Sequence, residues 1–289
     1  MKIKSVICIV ASALLWGTMG IFVNTLSQFG LSNFDIVFYR VFFTSLILLV
    51  YMLIKDKAML KIRFKDIWIF IGMGVFSFFF FNLCYFYTIK NISMSVAAAL
   101  LYTAPVFVMI FSALIFKEKL SLFKIISIAV TVCGCFAVTG IFSQNHSVIW
   151  YNIVVGILSG LGYGLYSIFG RFGVKKYGTV TVTFYTFLCA LLACIPFIRF
   201  NNIISQMSDI KLLSICVAAG VLTCALPYIL YTYGLRSIPS GQASVIATVE
   251  PAFACVLGVL FFNDKLDFFI CLGIVLILSA VIICSLDKD

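Results

Sequence analysis

Apolar residues along this chain come in runs, and the runs recur from end to end. Charged or polar breaks separate ten of them, at about 4–25, 33–54, 66–89, 93–116, 122–142, 148–170, 178–199, 211–234, 240–262 and 268–286. Each is close to the roughly 20 residues that a helix needs to cross a hydrocarbon core about 30 Å thick. The pattern predicts ten transmembrane helices. It leaves no room for a separate soluble domain, because the longest break, KDKAMLKIRFK at 55–65, is a short basic loop. The first run, KIKSVICIVASALLWG, has the basic start and small residues of a signal peptide. Its apolar stretch continues to about Asn24, so it is read as a retained membrane helix.

The chain also repeats itself. Residues 85–124 and 231–270 align without gaps at an offset of 146: Tyr85 meets Tyr231, Tyr87 meets Tyr233, Ala97 meets Ala243, Pro105 meets Pro251 and Lys119-Leu120 meets Lys265-Leu266. Phe38-Tyr39 meets Phe184-Tyr185 at the same offset, and Trp16-Gly17 meets Tyr163-Gly164 at 147. Two five-helix halves follow, residues 1–145 and 146–289. Five is odd, so the second half sits upside down relative to the first. The expected fold is an all-α polytopic membrane protein with ten transmembrane helices as two inverted five-helix repeats. Transporters built this way hold their site near the bilayer midplane, at the repeat interface.

Composition agrees: 64% of residues are hydrophobic and 10% charged, which excludes an ordinary soluble domain. The net charge of +10 could suggest nucleic acid, but its distribution points to membrane topology. Fifteen Lys and Arg fall on the side of the N-terminus. Lys90, Arg199, Lys211 and Lys265 fall on the other, and Arg40 lies within the second run. Basic loops stay in the cytoplasm, so both termini are expected there, in a multi-pass protein of the cytoplasmic membrane. The eleven cysteines lie inside apolar runs, odd in number and without a CxxC; they read as packing residues, not as disulfides or metal ligands.

One carboxylate breaks the apolar pattern. Glu250 sits midway along GQASVIATVEPAFACVLGVLFF, and every other acid lies at a segment end or in a loop. A charge at the bilayer centre costs roughly 2.5–3.5 kcal/mol even on the lenient insertion scale. Glu250 could carry a coupling proton, attract a cationic solute, or only fix helix register through a hydrogen bond. Pro251 follows it, and Pro105 holds the symmetric place; each removes a backbone donor and kinks its helix, so the two read as paired hinges. Arg40 could clamp a solute carboxylate, but its depth favours snorkelling to the interface. Trp16, Tyr102, Tyr163 and Tyr166 lie deep enough to line a cavity, where rings suit aromatic or cationic solutes. Asn82 and Thr103 could add hydrogen bonds there. Tyr85, Tyr87, Tyr231 and Tyr233, near segment ends, fit interfacial belts. Gly156, Gly160 and Gly164 let another helix approach within the fold.

These residues resemble a known family. Trp16-Gly17, Arg40, Pro105 and the acidic turn Glu118-Lys119-Leu120 look like the first half of an EamA-type protein of the drug/metabolite transporter superfamily. Glu250-Pro251, Asp264-Lys265-Leu266 and a final small-residue helix look like the second. The resemblance covers essentially the whole chain. Members often carry a proline before helix 2, where this chain has Leu31-Ser32-Asn33-Phe34-Asp35, and Asp264 stands where Glu is usual. The resemblance implies two EamA-like repeats, a central cavity and export of a small metabolite such as an amino acid, amine or nucleoside. It names no substrate.

Rival functions find less support. An intramembrane enzyme needs a nucleophile with a base, a carboxylate pair or a metal site. The only histidine, His146, is in a loop, Glu250 has no second buried acid, and HExxH is absent. A channel would show a ring of charges or a filter-like loop. The reading is therefore a secondary transporter with alternating access, and an uncoupled facilitator or channel-like pore is the alternative. No cofactor, metal or nucleic acid is expected. The expected partners are a small solute, lipid and, for one role of Glu250, protons, with the chain a monomer or homodimer.

Overall fold

The computed structural model describes residues 2–92, 94–138, 150–198, 209–262 and 268–286. The breaks between the runs at 143–147 and 200–208, with His146, Arg199 and the turn at 264–266, lie outside the described residues. Among the described residues no strand occurs. Eight helices among them are long and apolar enough to cross a membrane: α1 (Ile3–Ser27), α2 (Asn33–Lys55), α3 (Phe64–Asn91), α4 (Val96–Phe116), α6 (Trp150–Val174), α7 (Thr179–Phe197), α8 (Ile210–Gly234) and α9 (Ser240–Phe261). Two shorter apolar helices, α5 (Leu122–Val138) and α10 (Phe268–Cys284), complete the ten runs.

Local chemistry sets several boundaries. Gly30, at φ +79°, turns the chain before α2. Ser32 then caps α2 in a reciprocal box: its hydroxyl accepts from the Asp35 amide at 3.2 Å, and the Asp35 carboxylate accepts from the Ser32 amide at 3.0 Å. This is the loop that lacks the family's proline, and the box supplies the start signal. Asp209 caps α8 by accepting from the amides of Lys211 and Leu212. Lys117 ends α4 in the left-handed region at φ 54°.

The packing obeys the repeat. α1 packs on α8 as α6 packs on α3, α2 packs on α8 as α7 packs on α3, and α5 lies along α10. Close approaches match almost atom for atom. A methyl on Gly220 would meet the Phe43 side chain, the Arg40 carbonyl and the Thr44 amide, and one on Gly74 would meet Cys189, the Thr186 carbonyl and the Ala190 amide. Every pair differs by the offset of 146. Irregularities repeat too: π-helical turns interrupt α3 at Gly72–Phe79 and α8 at Val221–Ala225. α4 breaks between Met94–Leu101 and Ala104–Phe116, and α9 between Ser240–Ala247 and Val249–Phe262.

Side chains such as Leu46, Val50, Leu114, Leu260 and Val275 remain exposed, which suits an outer surface solvated by lipid. The loops after α2, α4, α6 and α8 gather at one end. There Tyr177 donates to Asp66 at 2.6 Å, Tyr185 donates to the Leu60 carbonyl at 2.6 Å, Lys176 pairs with Asp66, and Arg171 pairs with Glu118. Burial, and then the bond to Asp66, push the Tyr177 hydroxyl above its usual range.

Gly74→Val would drive a branched side chain into the α7 backbone, and overpacking of this kind costs about 1–3 kcal/mol. The expected result is a lower melting temperature in detergent than for Gly20→Val, whose added carbon meets nothing within 4 Å. Equal melting temperatures would show that the α3–α7 contact is not tight.

Candidate functional site

The symmetric breaks converge on a cavity between the halves. It is narrow in this conformation, with a volume of about 20 Å³ that gives room for only about one or two water molecules. Trp16 comes from α1, Ser77 and Phe81 from α3, and Tyr102, Pro105 and Val108 from α4. The second half supplies Tyr163, Tyr166 and Ser167 from α6, Tyr228 and Tyr231 from α8, and Ser244, Thr248 and Glu250 from α9.

Among the described residues, Glu250 is the single charged one in this lining. It is the second residue of the half-helix Val249–Phe262, where the exposed amides of a helix start favour a carboxylate. Tyr163 donates to its Oε2 at 3.0 Å, and Tyr102 lines the same cavity. Glycine lets α1 reach it: a methyl on Gly17 would stand 3.2 Å from the Glu250 carbonyl. The symmetric glycine, Gly164, stands in the same relation to the Ala104 carbonyl, also 3.2 Å. Ala104 and Glu250 therefore occupy equivalent places at the two breaks, and only one of them carries charge.

The rings pack around this point, edge to face or tilted. Trp16 lies 4.9 Å from Tyr228 and 5.4 Å from Tyr231, centroid to centroid, and Phe81 lies 5.5 Å from Tyr163. The hydroxyls pair mostly with one another. Tyr166 bonds Thr232 at 2.9 Å, Tyr231 bonds Ser167 at 2.7 Å, and Thr248 donates to the Val245 carbonyl at 2.6 Å.

Of the residues singled out from sequence, Trp16, Tyr102, Tyr163, Tyr166, Glu250 and Pro105 line the cavity, and Pro251 adjoins Glu250. Asn82, Thr103 and Arg40 do not. Asn82 donates to the Phe78 carbonyl at 2.7 Å, within its own helix. Thr103 donates to the Leu100 carbonyl at 2.6 Å and packs on Gly160. Arg40 does not snorkel: it is 4% exposed, and its Nε and Nη2 donate to the hydroxyl and carbonyl of Thr223 at 2.8 and 3.1 Å. The close approach of α2 to α8 at Gly220 brings the π-turn within reach and draws the guanidinium inward. Tyr231 is buried beside Trp16 and not at an interface. Gly156, Gly160 and Gly164 of α6 meet Leu100, Thr103 and Ala104 of α4, so this glycine row packs inside the fold.

A second cleft opens at the end where the even-numbered loops gather. Arg171, Lys175 and Arg236 face it, with Leu235 and Pro239. Arg171 also lies over the Phe116 ring, 4.7 Å from its centroid.

A duplicated bundle of ten membrane helices, enclosing a cavity between its halves, is the architecture of a membrane transporter. The chain belongs to the EamA-like transporter family, whose profile matches residues 3–140 and 150–286. It is 28% identical over 280 residues to an uncharacterized transporter of Archaeoglobus fulgidus, covering 95% of this chain and 94% of that one. It is 26% identical to the uncharacterized transporter YxxF of Bacillus subtilis, covering 97% and 89%. It is 24% identical to the uncharacterized inner membrane transporter YicL of Salmonella typhimurium, covering 99% and 96%. A solved crystal structure superposes with a TM-score of 0.82 at 15% identity, over 99% of this chain and 98% of that one, which shows the shared fold.

Proposed function

We propose that this transporter exports a small metabolite across the cytoplasmic membrane by alternating access, with the cavity as its solute site. The observation that carries the reading is Glu250, the one charge in a cavity between the halves, placed at a helix break whose symmetric counterpart holds only Ala104. Trp16, Tyr102, Tyr163 and Tyr166 form the ring wall around it. The halves 1–145 and 146–289 rock against each other, and the breaks before Pro105 and Pro251 are where α4 and α9 bend. Glu250 binds the solute or a coupling proton. The narrowness of the cavity supports a conformation closed around it.

Reconstitution tests this. Proteoliposomes given amino acids, nucleosides and organic amines, with and without a pH gradient, should show saturable uptake of at least one class and acceleration by the same solute inside. Flux that rises linearly with concentration would favour the channel-like pore.

Orientation has its own test. With both termini cytoplasmic, an impermeant thiol reagent should reach a cysteine at position 61 only from the inner face and one at 145 only from the outer, on a background freed of native cysteines. Labelling of position 145 from inside alone would reverse the topology.

A further inference from the structure

We infer that the solute is an organic monocation carrying a neutral hydrogen-bond acceptor, and that the Trp16 indole reads the acceptor. The inference rests on the cavity being the solute site.

Charge comes first. Among the described residues the lining offers one carboxylate and no cation. Arg40 keeps its charge but lies outside the lining, hydrogen-bonded to Thr223, and Arg171, Lys175 and Arg236 face the other cleft. A solute carboxylate or phosphate would meet Glu250 with no cation in direct contact to pair with, and burying an unpaired charge is costly. A single positive charge is matched by Glu250 and by the faces of the surrounding rings, which attract cations.

The hydrogen-bond inventory supplies the second half. Tyr163 donates to Glu250, Tyr166 pairs with Thr232 and Tyr231 with Ser167, while Tyr228 and Ser77 add adaptable hydroxyls to the wall. Thr248 and Ser244 donate to carbonyls of their own helix. Trp16 is different. Its Nε1 is buried and has no partner among the described residues, although the side chain lines the cavity at 7% exposure. Indole nitrogen can only donate. Buried N–H groups are rarely left unpaired, so the partner is an acceptor that arrives with the solute.

The test is calorimetry on the full-length protein in detergent. The probes are phenethylamine, its 2-, 3- and 4-methoxy derivatives, and phenylalanine. Phenethylamine should bind, and at least one methoxy isomer should bind about tenfold tighter, since a site built for a hydrogen bond discriminates against the analogue lacking it. Trp16→Phe should bring that ratio to about one, and Glu250→Gln should weaken every amine by about tenfold or more. Phenylalanine, with its added carboxylate, should not bind. Phenylalanine binding as tightly as phenethylamine would overturn the inference. So would the absence of a tighter methoxy isomer in the unmutated protein, a ratio that survives in Trp16→Phe, or no amine binding. Amines that bind as expected but never cross the membrane of proteoliposomes would leave the inference standing and remove the carrier reading instead.

Discussion

Glu250→Gln is expected to insert and fold like the unmutated chain and to lose transport by roughly tenfold to a hundredfold. The amide keeps the volume and can still accept from Tyr163, so the wall around it should hold. What disappears is the charge. Hydrogen bonds to charged groups contribute about 1.5–3 kcal/mol, which sets the size of the loss. The pattern of loss separates the two roles. If Glu250 carries a coupling proton, the variant loses accumulation driven by a pH gradient but keeps exchange of solute for solute. If Glu250 holds a solute cation, affinity falls in both modes. Unchanged affinity and unchanged pH dependence would reduce Glu250 to a fastener between α6 and α9.

The prolines carry the next largest effect. Pro105 and Pro251 sit in the first turn of the second half of α4 and α9, where a missing amide is tolerated. Alanine at either place restores a donor to the carbonyl four residues back, at Leu101 or Ala247, and lets the broken helix close. Turnover is then expected to fall by roughly tenfold, a barrier rise of about 1.4 kcal/mol, with expression changed far less. Rates measured in proteoliposomes at equal protein content decide the point. Full turnover in both variants would show that the breaks are maintained by packing, for instance by Thr103 on Gly160, and not by proline.

Much of this molecule was legible in sequence because the membrane imposes a simple code. A crossing must be long and apolar, so ten runs gave ten helices. The repeat was visible wherever backbone geometry demanded a residue, as at Pro105 and Pro251. Glu250 stood out because its cost is high, and Trp16, Tyr102 and Tyr163 because polar-tipped rings at mid-depth need a place to face. Other features left no such trace. The π-turns at Gly72–Phe79 and Val221–Ala225 have no signature in the residue pattern. They draw Asn82 onto Phe78 and Arg40 onto Thr223, away from the cavity. Tyr231 is close to a helix end by residue count, yet α8 packs on α1 so that its ring lies against Trp16. Ser77, Ser167 and Ser244 are small hydroxyls of a kind common in membrane helices, and nothing in their spacing marks them as cavity residues.

The central claim is that transported solute occupies the space around Glu250. Carbodiimide labelling of that carboxyl, read by mass spectrometry of the purified protein, tests it most directly. Glu250 should be modified in the unmutated chain and unmodified in Glu250→Gln. A solute that proteoliposomes take up should slow the modification in proportion to its saturation of transport, and a solute they do not take up should leave it unchanged. Modification that proceeds at full rate under a saturating transported solute would contradict the account and place the solute elsewhere in the fold.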